Sequence, residues 1–118
     1  MVTDISIWRK RACDILRIVV DEQFQRENWF GRGKYISSPE EIYNELFTDL
    51  EVEVFIASPG VALNEQQKKA GNDLVAKLEA FDKEVGPELP PDVVIDHPKW
   101  SEIRQAAKKF RELLDCRD

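Results

Sequence analysis

Apolar residues recur at steps of three and four in several separate stretches of this chain, and no two stretches alternate with the period of two that paired strands require. The first stripe is Ile5, Trp8, Ala12, Ile15 and Val19, widened by Leu16 and Val20, with Arg9, Lys10, Arg17 and Asp21 mostly opposite. This spacing predicts a helix buried along one face, about six turns long if it reaches Phe24. Ile42, Tyr43, Leu46, Phe47 and Leu50 form a second stripe, and Ala70, Leu74, Leu78, Phe81 and Val85 a third. Trp100, Ile103, Ala107, Phe110 and Leu114 form the last. With 118 residues there is room for one sizeable core and little more. The expected architecture is mainly α: a single helical domain over 1–118, built as a bundle of about four helices.

Local signals sharpen the boundaries. In "SPEE", Ser38 can accept from the third helical amide, Pro39 fits the first helical position and Glu41 can reach back, so a helix starts at Pro39. Asn64 with Gln67 repeats the pattern ahead of the third stripe, which "GP" at Gly86 and Pro87 ends. The segment "GPELPPDVVIDHP" reads as a Pro-rich, extended crossing whose Val93, Val94 and Ile95 can pack on the core. Residues 50–56 satisfy two templates. Leu50, Val52, Val54 and Ile56 alternate as in a short extended segment, whereas Leu50, Val54 and Phe55 continue the helical stripe. Without a strand to pair with, the favoured reading is a continuation of the helix or a short second one, and "SPG" at Ser58–Gly60 then turns the chain.

Charge excludes some functions. Seventeen Lys and Arg stand against 23 Asp and Glu, a formal net charge of -6 that disfavours general binding to nucleic-acid backbones. Arg9, Lys10, Arg11, Asp14 and Arg17 interrupt the apolar positions near the N-terminus, unlike a signal peptide, and no apolar run is long enough to span a bilayer. Cys13 and Cys116 are too few and too far apart for a disulfide framework or a zinc site. They read as two reduced thiols in a cytoplasmic protein with no membrane partner.

Nor is there a recognisable catalytic set. His97 is the only histidine, and its place directly before Pro98 suits a helix start better than a general base. Cys13 falls within the first helix, where a half-buried thiol is ordinary. Gly33-Lys34 runs into Tyr35 rather than the Ser or Thr of a phosphate loop, and Gly31 and Gly33 lack the third glycine of a dinucleotide site. No metal-ligand spacing occurs. The expectation is a non-catalytic protein without cofactor or metal.

Two features point to binding. "NWFGRGKY" surrounds Gly31 and Gly33 with Trp29, Phe30 and Tyr35, which suits either the plug of a bundle end or an interface corner. Trp29 and Tyr35 are candidate rim anchors if exposed. More strongly, no Lys, Arg or His occurs from Tyr35 to Glu65, yet Glu40, Glu41, Glu45, Asp49, Glu51, Glu53 and Glu65 do. On a continuous helix Glu41, Glu45, Asp49 and Glu53 form a stripe of like charges, each pair costing about 0.2–0.5 kcal/mol. The ordinary reading is a solvated acidic face; the sharper one is a docking surface for a basic protein.

The acidic "PEEIYNELFTDLEVEVF" and the closing "HPKWSEIRQAAKKFRELL" resemble, in size, style and charge, the small acidic cytoplasmic immunity proteins of bacterial toxin–immunity systems. The resemblance implies inhibition by one-to-one binding to a toxin, with no chemistry by the inhibitor. The expected function is therefore protein binding, as an immunity-type inhibitor meeting a basic toxin through Glu41, Glu45, Asp49, Glu51 and Glu53. The alternatives are a self-associating structural or regulatory subunit, and an enzyme of unrecognised type using His97 or Cys13. Monomer and homodimer are equally compatible with the residues.

Overall fold

Capping chemistry sets most of the element boundaries in the computed structural model, which describes residues 4–29, 38–85 and 90–116. Asp4 opens α1 (Ile5–Val20) by accepting from the Ser6 and Ile7 amides, and the helix buries Trp8, Ala12, Ile15, Leu16 and Val19. The helix ends before Phe24. Asp21 leaves helical geometry (φ -86°, ψ 90°) and its carboxylate caps α2 (Glu22–Asn28) at the Phe24 amide, 2.9 Å. Gln25, fully buried, donates through Nε2 to the Ile18 and Val19 carbonyls at 2.9 and 2.8 Å. The break deprives both carbonyls of their α-helical donors four residues on, and the Ile18 carbonyl keeps only the long Asp21 amide contact at 3.3 Å. One predicted helix is thus two, joined by a side chain that replaces the missing backbone bonds.

Ser38 caps α3 (Pro39–Asn44) at the Glu41 amide, 3.1 Å, with Pro39 at its first position as expected. The helix widens to a π turn over Glu45–Asp49, where the Leu50 amide reaches back five residues to the Glu45 carbonyl at 2.8 Å. Glu51 then takes a left-handed conformation (φ 55°), and α4 (Val52–Ala57) follows. Residues 52–57 are helix. The strand template would put Val52, Val54 and Ile56 on one face, but Val54 is 56% exposed while Val52 and Ile56 are 1% and 3% exposed. Of the two favoured helical readings, continuation and a short separate helix, the second holds, because the chain is interrupted at Leu50–Glu51.

The Asn64–Gln67 capping box forms in both directions and opens α5 (Glu65–Glu84), whose buried face includes Ala70, Leu74, Leu78 and Phe81. The expected extended crossing is corrected over part of its length: Pro91–Ile95 is a short helix, α6, with Pro91 at its first position and Val94 and Ile95 buried. Residues 86–89 lie outside the described residues. His97 caps α7 (Pro98–Leu113), its Nδ1 accepting from the Lys99 amide at 3.1 Å. Seven α-helices and the π turn, with no strand, make up the described residues, rather than four helices. The four predicted stripes survive as α1, α3 with its π turn, α5 and α7. The added pieces arise where a cap or a left-handed residue breaks a run.

Helix α7 packs most extensively on α5 and α1, and buried side chains of α1 and α3 to α7 meet in one cluster with Trp29, the residue that follows α2. Gly71 marks the tightest approach: a Cβ there would lie 2.8 Å from Ile56 Cδ1 and 2.9 Å from Phe110 Cζ, so α4, α5 and α7 close through the missing side chain. The packing of α1 on α7 also overturns the expectation of two reduced thiols. Cys13 and Cys116, 103 residues apart in sequence, have Cα atoms 5.6 Å apart and form a disulfide. Sequence separation is no guide when two helices lie side by side. No helix among the described residues is long and apolar enough to cross a membrane.

Candidate partner-binding face

The acidic arm runs from α3 through the π turn into α4, and other helices fix its orientation. The Trp8 indole donates to the Leu50 carbonyl at 2.8 Å and packs edge-on against Phe55, pinning the junction of π turn and α4 to α1. On α3, Tyr43 stacks on Phe47 at 4.6 Å, and its hydroxyl donates to the Leu78 carbonyl of α5 at 3.3 Å. The arm is thereby held between α1 and α5 by buried or half-buried groups.

Its carboxylates do not form the single stripe that a continuous helix would give. Glu41 and Asp49 are exposed and flank the half-buried Glu45, whose carboxyl is pushed above its ordinary value by burial first and by the charges of Asp49 and Glu41 next. Arg11 of α1 opposes this shift and lies 4.0 Å from Asp49, the limit of an ion pair. Glu51 is exposed at the left-handed bend. Glu53, beyond that bend, joins a second group. Burial, followed by the charges of Asp82, Glu79 and Glu53, pushes the Tyr43 phenol up to about 12. The expected stripe thus becomes two clusters, one around Glu45 and one around Tyr43, and α5 contributes Glu79 and Asp82 to the second.

Trp29 is a core residue and not a rim anchor. It is 4% exposed and tilts against Trp100 at 5.5 Å, in an aromatic group that continues through Phe81 to the His97 ring. This is the plug reading of "NWFGRGKY", realised for Trp29. Tyr35, with Phe30, Gly31, Arg32, Gly33 and Lys34, lies outside the described residues.

The groups on which an unrecognised enzyme would depend have structural partners. His97 caps α7 and meets Phe81 edge-on, and the Cys13 sulfur is bonded to that of Cys116. No group of three or more His, Cys, Asp or Glu arranged to hold a metal occurs among the described residues.

A second polar assembly was not foreseen from the sequence. Gln25 Oε1 accepts from Trp100 Nε1 at 3.2 Å and from Arg104 Nη1 at 3.5 Å, and Arg104 also donates to the Ile95 carbonyl. Glu22 bridges Arg26 and Arg104, and Arg26 reaches Asp96 at 2.6 Å. The assembly ties α2, α6 and α7 together. Its only sequence signal is a glutamine and an arginine facing the same way as apolar neighbours, which becomes meaningful once α2 and α7 are known to touch.

The chain belongs to the family described as a domain of unknown function, DUF7945, whose model matches residues 5–118. Neither a curated protein nor a solved structure matches it.

Proposed function

We propose that this protein works by binding a basic protein through the α3–α4 face, and that the binding inhibits the partner as immunity proteins inhibit toxins. The supporting observation is electrostatic. Residues 38–57 carry Glu40, Glu41, Glu45, Asp49, Glu51 and Glu53 without one Lys, Arg or His, and Arg11 is the cation that reaches in from another helix beside Glu45 and Asp49. Glu79 and Asp82 extend the same negative region onto α5. A basic partner would supply the missing cations, associate fast by steering, and have its own anion-binding surface covered. Glu41, Asp49, Glu51 and Glu53 are the exposed contact residues in this reading, and Glu45 lies among them half-buried.

Self-association would call for a continuous exposed apolar strip. The exposed large apolar residues among those described are Ile7, Val54 and Val93, on α1, α4 and α6, which favours the charged face as the contact surface.

The test is capture by the full-length protein at low and high salt beside the triple variant Glu41→Lys, Asp49→Lys, Glu53→Lys. One basic protein, bound one-to-one, weakened by salt and lost with the variant at unchanged helicity, is the expected result. Equal capture by the variant would remove the acidic-face mechanism, and scattering that shows only self-association would replace it.

A further inference from the structure

The bridge between Cys13 and Cys116 joins the middle of α1 to the residue that follows the last turn of α7. Both cysteines are half-buried, at the margin of the core and not inside it. Guanidinium groups bind the backbone beside both ends of the bridge. Arg111 donates through Nε to the Cys13 carbonyl at 3.4 Å, and Arg9, one helical turn before Cys13, places its guanidinium on the Leu114 carbonyl at 3.5 Å and the Val61 carbonyl at 3.1 Å. Arg17 stands one turn after Cys13 on α1. Of the nearby carboxylates, Asp14 pairs with Lys10 at 3.2 Å, and Asp115 precedes Cys116. Guanidinium groups around a cysteine stabilise its thiolate, which makes it both a better leaving group and a more abundant nucleophile.

The rest of the α7 terminus is held without sulfur. Leu114 is buried, Gln67 Nε2 donates to the Leu113 carbonyl at 2.8 Å, and Asp115 is left-handed (φ 57°) with its amide on the Glu112 carbonyl. Opening the bridge therefore leaves α7 docked and loosens the turn after it.

We propose that Cys13–Cys116 is a reversible redox latch, closed in an oxidising compartment and opened in a reducing one, that sets how firmly the α7 terminus is fastened to α1. Closing removes one proton from each thiol and passes two electrons to an oxidant of the disulfide class, such as oxidised glutathione, which leaves as two thiols. Opening is the reverse. A reductant thiolate attacks one sulfur, a mixed disulfide forms, and a second reductant thiol resolves it, returning both cysteines to thiols. This inference is independent of the partner-binding reading, since neither sulfur lies on the α3–α4 face.

The experiment equilibrates the full-length protein in glutathione mixtures from strongly oxidising to strongly reducing. It counts free thiols by alkylation and mass, and measures Tm and amide exchange at each point. The expected result is a reversible transition within that range without denaturant. The reduced form should keep its far-UV helicity, lose roughly 10–20 °C in Tm because a loop of 103 residues is no longer closed, and exchange faster at Leu114 and Asp115. The double variant Cys13→Ser, Cys116→Ser should show the reduced form's Tm at every ratio. A bridge that yields only in denaturant would overturn the latch in favour of a permanent staple. Thiols that stay free in the oxidising mixtures, or a reduced form as stable as the oxidised one, would overturn it as well.

Discussion

The α1–α7 pair and the α3–α4 arm lie on opposite terms with their own sequences. In α1 and α7 the stripes are buried apart from the half-buried Ile5 and Val20 at the two ends of α1, most charged residues lie outside, and a covalent bridge joins the two helices. In the arm the helix widens at Glu45, turns left-handed at Glu51, and crowds carboxylates around the half-buried Glu45 and Tyr43. A run in which period, cap and charge agree folds as it reads. A run in which they conflict is resolved by its neighbours, here Trp8, Arg11 and the face of α5. Such local conflict, tolerated inside an otherwise consistent fold, is where binding surfaces are expected.

The strongest test of this contrast is at the packed seam. Gly71→Ala drives a methyl against Ile56 and Phe110, and overpacking of that kind costs about 1–3 kcal/mol. Chemical denaturation should show that loss. An unchanged midpoint would mean that α4 can move away freely, and that the arm is not set by the core.

A smaller effect, of opposite sign, is expected within the arm. Glu51→Gly relieves a left-handed non-glycine residue and should stabilise by up to about 1 kcal/mol, the glycine's greater freedom in the unfolded chain taking back part of the gain. Destabilisation would show that the Glu51 side chain holds the bend through contacts of its own.

The least change should come from charge. Because the Glu45 carboxyl is raised in the folded protein, its ionisation works against folding. The ion disfavours the folded state as pH climbs past the unfolded carboxylate value of 4.5, and the penalty vanishes below it. Glu45→Gln should therefore stabilise at neutral pH by about 0.2–0.5 kcal/mol, the scale of like-charge pairs on a helix, and make no difference in acid. Paired urea titrations at pH 7 and in acid would measure it. A loss at neutral pH would mean that attraction to Arg11 outweighs the repulsion from Glu41 and Asp49.

Legibility followed the range of the interactions. Ser38 with Pro39, Asn64 with Gln67, and the stripes of α1, α5 and α7 depend on residues within a turn or two, and the sequence displays them. The break at Asp21 was hidden because its compensation comes from Gln25, whose carboxamide looks like surface until α2 folds back. The short helix at Pro91–Ile95 was masked by prolines that suit an extended chain as well as a first helical turn. The disulfide and the reach of the acidic face onto Glu79 and Asp82 depend on which helices lie side by side, and no local pattern records that. Trp29 has the composition of an anchor; Trp100, more than seventy positions away, makes it a plug.

The π turn has a directional consequence. It accommodates one residue beyond an α-helical turn, and each residue of a helix carries about 100° of rotation. The bearing of Glu51 and Glu53 therefore depends on a count of positions between Asn44 and Leu50, and not on which residues fill them. A shorter version of that stretch would keep the same acidic composition and swing its charge toward a different quarter. Chain length inside the turn works as a compass setting, which substitutions leave alone and a single deletion resets.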